Sequence, residues 1–512
     1  MISPEMLSGI ELFKAITPDM DGDAVGGTVN FTVRKADDEL RTLVRVLGGY
    51  NGLKNDFAQL RTNFSISDRV FKDRLGIVTT GNFQRANRSN EFVSTSYVFE
   101  GRDVNEAPIL SVDDLNLGDK LETRDRYGGS LTLDYQFDQD HSLLFSSNLG
   151  RTERDELRYR RRYRLGNNYQ EFDVQQRERQ ITLLANTLSG EHHFKNFELT
   201  WRSSYSFSNQ DIPYRLRGRF RENAAISGSI ENDRDLTQIP NAFKNNLENT
   251  ILRDVTYESS KVNEDRLTSQ VDLRYNFTLR PGLSGYLKAG GKYRQTDRRR
   301  TNQGSLLRPY LPSDNPALQE PELFVTNPTG QILMANFMGT YTNDNFFDGR
   351  YDLLPGTPEL RSTFTTTIGE VDIDAYNQLF GTDYQLGDEI PYRGHLDMAK
   401  VDRFYRRFRS EFLPDLRANS EDYDGTERIL ASYLMGELNI GKKLTLLGGL
   451  RYEETDQEYT SVRIAGNIEE EEFDPSDLIV ITNTAGRTYH EFMPMAHVKY
   501  RAADWMDIRA AV

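Results

Sequence analysis

The residues of this chain that could do chemistry fall into two groups, alternate aspartates near the start and clustered arginines further on. Asp19, Asp21 and Asp23 have the spacing that opens a calcium loop, where side chains at the first, third and fifth places supply oxygen ligands. That loop also requires glycine at the sixth place and a bidentate glutamate at the twelfth, and Ala24 and Asn30 stand there instead. The metal reading therefore falls, and the aspartates are read as turn residues that bond their own backbone. Among the arginines, Arg158, Arg160, Arg161 and Arg162 lie in the run Arg158-Tyr-Arg-Arg-Arg-Tyr-Arg164, while Arg298, Arg299 and Arg300 are consecutive. Arg406 and Arg407 flank an apolar stripe described below. Guanidinium groups interleaved with aromatic rings suit nucleic acid or any other oxyanion.

Nothing else in the chain assembles a reacting centre. Glu453 and Glu454 are adjacent carboxylates in a chain with 78 Asp and Glu, where such pairs are commonplace. Glu469 to Glu472 with Asp474 is a charge run that suits a solvated face or divalent-cation bridging. His192 and His193 adjoin a tight turn and are expected to be exposed. The chain has no Gly-x-Ser-x-Gly, no phosphate loop and no His-Glu-x-x-His. No catalytic residue, no metal site and no cofactor is assigned.

Composition limits the frame that carries these residues. The formal net charge of -15 and pI of about 5.1 argue against a nucleic-acid binder, which would carry a basic footprint. Mean hydropathy is -0.66, polar for a membrane protein, yet in a transmembrane barrel only every second strand residue faces lipid. No run approaches the roughly 18 apolar residues a membrane helix needs. The absence of cysteine suits export through an oxidising compartment.

The elements are strands. Arg41 to Tyr50, Phe57 to Ser67 and Leu75 to Arg85 read as the first three, followed by a polar loop to about Glu122. In Arg126 to Phe137, Phe197 to Ser208 and Leu267 to Phe277 apolar and polar residues alternate; Leu267, Val271, Leu273, Tyr275 and Phe277 oppose Thr268, Gln270, Asp272, Arg274 and Asn276. Period-two alternation makes one face apolar and the other wet. A soluble sandwich alternates too, but two further features point to a membrane barrel. Aromatics gather near strand ends, at Tyr135, Phe137, Tyr275, Phe277, Tyr452 and Tyr500, as an interface girdle requires. Tight turns (Asp138 to Asp140, Lys195-Asn196, Arg280 to Gly282, Gly441 to Lys443, Arg501 to Ala503) also alternate with long polar excursions at about 151–176, 210–263, 298–424 and 460–487. Within the longest excursion Met398, Val401, Tyr405, Phe408 and Phe412 recur at helical spacing, with Arg403, Arg406, Arg407 and Arg409 on the other side, and predict a helix that lids the barrel mouth.

The segment from Gly9 to Ala36, with Thr17-Pro-Asp-Met-Asp-Gly-Asp-Ala-Val-Gly-Gly27 and Asn30, closely resembles the end of the plug domain of TonB-dependent outer-membrane receptors. Tyr433 to Glu437, Gly448 to Thr455 and Phe492 to Arg509 are similar to mid-barrel hairpins of that family. The resemblance implies an all-β fold: an antiparallel transmembrane barrel of about 22 strands when complete, roughly thirteen of them here, after the end of an N-terminal plug. Residues 1–36 would be plug and 37–512 the truncated first part of the barrel. In the plug hairpin, strands Ile10 to Ile16 and Thr28 to Val33 would flank the turn, with Lys14, Pro18, Asp19, Asp21, Asp23, Gly26, Gly27 and Asn30 as structural residues, and Lys14 and Arg34 positioned to pair with lumenal carboxylates.

Met1 to Gly9 shows neither a basic start nor an apolar h-region. The leader, the TonB-contacting segment and most of the plug are therefore expected upstream. The implied function is TonB-driven import of a scarce solute, a ferric siderophore or similar chelate or an oligosaccharide, across the bacterial outer membrane. The partners are then the TonB complex, the membrane with its lipopolysaccharide, and the ligand, with no nucleic acid. At the outer strand ends the arginine clusters would meet either lipopolysaccharide phosphates or an anionic ligand. The alternatives are an outer-membrane adhesin or enzyme uncoupled from TonB, and a secreted all-β glycan-binding protein.

Overall fold

The computed structural model describes residues 7–23, 27–52, 56–227, 236, 238–244, 246, 249–339, 365–368, 371–391, 396–466 and 478–511. Gly26 and the acidic run Glu469 to Asp474 lie outside the described residues. The strands are β1 (Leu7–Phe13), β2 (Thr28–Val33), β3 (Arg41–Asn51), β4 (Asp56–Val70), β5 (Leu75–Asn87), β6 (Asn90–Arg102), β7 (Pro108–Gln136), β8 (His141–Arg164), β9 (Tyr169–Phe194), β10 (Phe197–Asn223), β11 (Ile251–Arg280), β12 (Leu283–Leu307), β13 (Thr365–Thr367), β14 (Glu389–Pro391), β15 (Leu413–Pro414), β16 (Tyr423–Ile440), β17 (Leu444–Ala465), β18 (Ile479–Ala503) and β19 (Met506–Ala511). The helices are α1 (Gln238–Ala242), α2 (Ile373–Phe380) and α3 (Met398–Phe408).

Thirteen strands hydrogen-bond in one antiparallel path, β3-β4-β5-β7-β8-β9-β10-β11-β12-β16-β17-β18-β19. β6 pairs with the outer part of β7, and β15 with the outer end of β12. Among the described residues β3 and β19 are not paired with each other, so the sheet is open. β1 and β2 form a separate hairpin in which Glu11 faces Asn30 and Phe13 faces Thr28.

Alternation works as expected in the lower sheet. Leu267, Val271 and Leu273 are exposed on one face of β11, and across the ladder that face continues through Leu287, Leu434 and Leu450. From Phe277 to Leu267 the apolar face runs ten residues, about 34 Å of strand and about 26 Å of height at the tilt of such barrels. Aromatic pairs edge it: Phe197 with Tyr275 (4.9 Å) and Tyr135 with Phe137 (4.8 Å) beside the tight turns, Tyr452 with Phe492 (5.0 Å) at the other border. An exposed apolar band of this height on one face of the sheet matches hydrocarbon rather than water.

The turns between strands lie as expected except the last, which falls at Asp504-Trp505 because β18 continues through Ala503. The polar excursions are corrected more substantially. The stretch before Glu122 is the β6–β7 hairpin, and β8 to β11 run straight through most of 151–176 and half of 210–263. Charge disguises alternation there. One face carries ion pairs across strands, with Asp173 receiving Arg160 (2.5 Å) and Arg217 (2.9 Å) and Arg162 reaching Asp114 (2.6 Å). The opposite face buries Tyr163, Phe172, Val174, Leu216 and Phe220.

The excursion after β12 forms a cap over that buried face. Phe324, Phe337, Phe380, Phe404 and Phe408 make its centre, and Phe337 meets Phe220 at 5.2 Å and Phe404 at 5.6 Å. α3 covers the predicted stripe from Met398 to Phe408, capped by Asp397, whose carboxylate accepts from the Ala399 N–H; Phe412 lies beyond it and rests on Tyr405. Tyr405 stacks on Tyr257 of β11 at 5.0 Å. A Cβ at Gly218 of β10 would stand 3.2 Å from Val401, so glycine there lets the helix approach. By register this is the face opposite the one that carries the polar ladder, and α3 therefore packs against outer strand ends instead of lying across the mouth.

Candidate functional site: an acidic loop fastened to the inner face

Between β1 and β2 the chain turns at Thr17 to Asp23. The Met20 N–H donates to the Thr17 carbonyl (2.9 Å) and the Thr17 hydroxyl to Asp19 (2.5 Å). Proline at 18 fixes φ for this turn and is buried. Gly27 closes the hairpin with φ +111°, and a Cβ there would lie 2.4 Å from the Phe13 carbonyl oxygen, so only glycine fits.

The three aspartates reach across to the sheet, Asp19 while keeping its bond from Thr17 within the turn. Lys288 Nζ donates to Asp19 Oδ2 at 2.5 Å and Lys292 Nζ to Asp21 Oδ1 at 2.5 Å. Arg294 spans Asp21 (3.4 Å) and Asp23 (3.4 Å). All three cations alternate along β12 and share one face, which we term the inner face. From the next strands Arg451 donates to the Pro18 carbonyl (3.1 Å), pairs with Glu453 (2.6 Å) and lies 3.7 Å from Asp21. Arg451 is 1% exposed, so removing Glu453 would leave a buried charge without its closest partner. The Gly22 N–H points at Glu453 Oε1 (3.4 Å), and a Cβ on Gly22 would fall 2.4 Å from Met493 Sδ. The sequence Asp-Gly-Asp is thus what allows the loop to lie flat on the inner face.

Burial alone would push the Asp19 carboxyl up, but hydrogen bonds from Lys288 and Thr17 and the Lys288 charge outweigh it and hold the group below its ordinary range. Asp21 behaves alike: burial opposes, while Lys292, Arg294 and Arg451 prevail, and its carboxyl is also held low. The two carboxylates are therefore ionised at neutral pH and act as anionic pegs. Beside them a cleft of about 280 Å³ remains, lined by Asp23, Arg294, Glu427, Glu453, Tyr489 and Glu491 among others. Among the described residues no three His, Cys, Asp or Glu side chains converge as a metal site would require.

The sheet also holds the segment that follows β2. The Ala36 N–H donates to Asp134 Oδ2 (3.1 Å), Arg69 pairs with Asp134 (2.6 Å), and the Asp37 N–H donates to Ser67 Oγ (3.0 Å). Here the expected polarity is reversed. Arg34 pairs with nearby Asp37 and Lys14 is exposed, whereas the loop supplies the acids and the sheet supplies the bases. Asn30 donates to Glu11 across the hairpin (2.8 Å).

The arginine clusters are occupied by partners within the fold. Arg158 reaches Gln175 (3.2 Å), Arg160 reaches Asp173 and Arg162 reaches Asp114, all on the inner face. Arg161 points the other way, buried 5.0 Å from the Phe172 ring. Arg298 pairs with Glu264 (2.6 Å), Arg299 with Asp424 (2.5 Å) and Arg300 with Glu421. Arg406 pairs with Asp402 (2.6 Å) and Arg407 with Glu320 (2.6 Å). Lys288, Lys292, Arg294 and Arg451 escaped the sequence reading. The signal available for them was a set of cations on the wet face of one alternating strand, complementary to acids at alternate positions of an extended loop.

Residues 214–512 match the family described as TonB dependent receptor-like, beta-barrel. The siderophore receptor PiuA from Acinetobacter baumannii superposes with a TM-score of 0.45 at 13% identity, over 98% of this chain and 52% of its own. The ferric-catecholate import receptor Fiu from E. coli K12 in its open form gives 0.48 at 12% identity, over 98% of this chain and 59% of its own. This chain thus spans little more than half the length of either. No curated protein sequence matches it. With the family match extending over more than half of its residues, on a thirteen-stranded antiparallel path with an apolar outer band, the chain belongs to the TonB-dependent receptor family.

Proposed function

We propose that this chain is part of a TonB-dependent importer of the bacterial outer membrane, with residues 1–36 ending a plug and residues 37–512 contributing barrel strands. The solute is a scarce one, a ferric siderophore or related chelate before an oligosaccharide. The observation that carries the reading is the fastening of Asp19, Asp21 and Asp23 to Lys288, Lys292 and Arg294. A wide barrel without a filling segment is an open channel, and salt bridges hold such a segment firmly while remaining exchangeable for water, as an apolar interface would not. Energy from TonB, acting through a segment upstream, would exchange those contacts and clear a path. In the same reading the exposed edges of Arg299 and Arg406 meet lipopolysaccharide phosphate.

The test is uptake of iron-loaded siderophores and of labelled oligosaccharides by cells that express the full-length protein, with and without TonB. Accumulation of a chelate that stops when TonB is removed is the expected result. Uptake that persists without TonB would overturn the coupling, and accumulation of sugars alone would overturn the solute class.

A further inference from the structure

Like charges directly opposite each other on antiparallel strands lie about 5 Å apart at Cβ and destabilise the sheet. On the inner face this chain accepts that twice in succession: Arg124 of β7 faces Arg154 of β8, and Arg154 faces Arg179 of β9. Arg126 stands one alternate position along β7, opposite Gln84 and Thr152. Glu122 and Glu156 face the same cluster, but Glu122 is taken by Arg124 (2.9 Å) and Lys120 (2.9 Å), and Glu156 by Arg177 (2.5 Å). Among the described residues Arg126 reaches only the Gln84 amide oxygen (3.1 Å) and Arg179 only that of Gln210. The Nε groups of Arg126, Arg154 and Arg179 are buried and donate to nothing among the described residues. A few residues higher on the same face, Asp173 and Asp114 neutralise their arginines, so the excess is local.

We propose that Arg126, Arg154 and Arg179 form a binding site for an oligo-anionic solute that carries at least two oxyanion groups, carboxylate or phosphate-like, about 5–10 Å apart, the span of the row. The inference rests on the import reading only in taking this face as the solute's path, and it names the charge class that reading leaves open. The fork of each guanidinium can hold one oxyanion by two hydrogen bonds, and the ligand would supply the negative charge the sheet omits.

The full-length protein in detergent micelles free of lipopolysaccharide is titrated by calorimetry with tripolyphosphate, with citrate and with glucose. We expect both anions to bind, glucose not to bind, and affinity for tripolyphosphate to drop at least tenfold in Arg154→Gln and in Arg179→Gln. Because each change removes a like-charge contact, the ligand-free variants should melt at or above the temperature of the parent. Arg85→Gln, whose side chain pairs with Asp125 on the outer face, should bind as the parent does. Unchanged tripolyphosphate affinity in both inner-face variants would overturn the site, as would a lowered melting temperature with affinity retained. Displacement of the anion by purified lipopolysaccharide would assign the charge to lipid phosphate and overturn the soluble ligand. Loss of TonB-dependent uptake leaves this titration unaffected, so the two readings fail separately.

Discussion

Lys288 Nζ lies 2.5 Å from Asp19 Oδ2, although 269 residues of chain separate them. The contact joins a loop that precedes the sheet to a strand in its middle, and neither residue has another ion-pair partner of comparable closeness among the described residues.

Lys288→Gln or Asp19→Asn should weaken loop docking by about 1–3 kcal/mol, since one member of a largely buried charged hydrogen bond is lost. The double variant should cost clearly less than the sum of the two. A spin-label distance between Met20→Cys and Ser432→Cys reads docking directly, and the cysteine-free chain offers no competing thiol. Strict additivity would show that the pair is not energetically coupled.

Asp19 and Asp21 titrate lower in the docked loop than in a free chain. Their contribution to docking is therefore complete above the ordinary aspartate value of about 3.9 and is lost as pH falls through the lower docked values. The same label pair should report a docked loop from pH 8 down to about 4 and release below it. Release centred near pH 6 would implicate a different group.

Phe337→Ala should destabilise the cap by about 3–5 kcal/mol, because the ring is fully buried between Phe220, Phe380 and Phe404. Amide exchange should accelerate in α2 and α3 while the lower strands keep their protection. A uniform loss of protection across the sheet would mean that the cap and the strands unfold as one unit.

Leu434→Arg, on the apolar outer band beside Leu450, should lower the stability of the bilayer-inserted protein by about 2–4 kcal/mol, as cations near the midplane of a barrel's lipid face do. Refolding into vesicles at graded denaturant measures it. A neutral result would place that face in water.

Much of the sheet was legible because Leu267 to Phe277 and Phe197 to Ser208 separate apolar from polar residues with a period of two, which only a half-wetted strand explains. The outer ladder was not, since Arg160, Arg162 and Asp173 make one side of those strands look like solvated loop until their cross-strand partners are known. The hairpin turn was recognised from Gly27 and its neighbours, and Asp19 does bond locally to Thr17, yet the reach of Asp19, Asp21 and Asp23 to the sheet was not foreseen. Turn aspartates bond locally when nothing else is near, and what is near here comes from β12 and β17, far along the chain. The clustered arginines drew attention by their density, whereas the unneutralised ones are spread over three strands and become a group only through register.

Lys288, Lys292 and Arg294 climb β12 in the same order as Asp19, Asp21 and Asp23 follow one another in the loop. Tension entering from the residue 17 end therefore meets the attachments in sequence, and each must part before the next bears the load. The fastening resists thermal escape with all its links together, yet a directed pull meets it one aspartate at a time, Asp21 with its three cations being the strongest point.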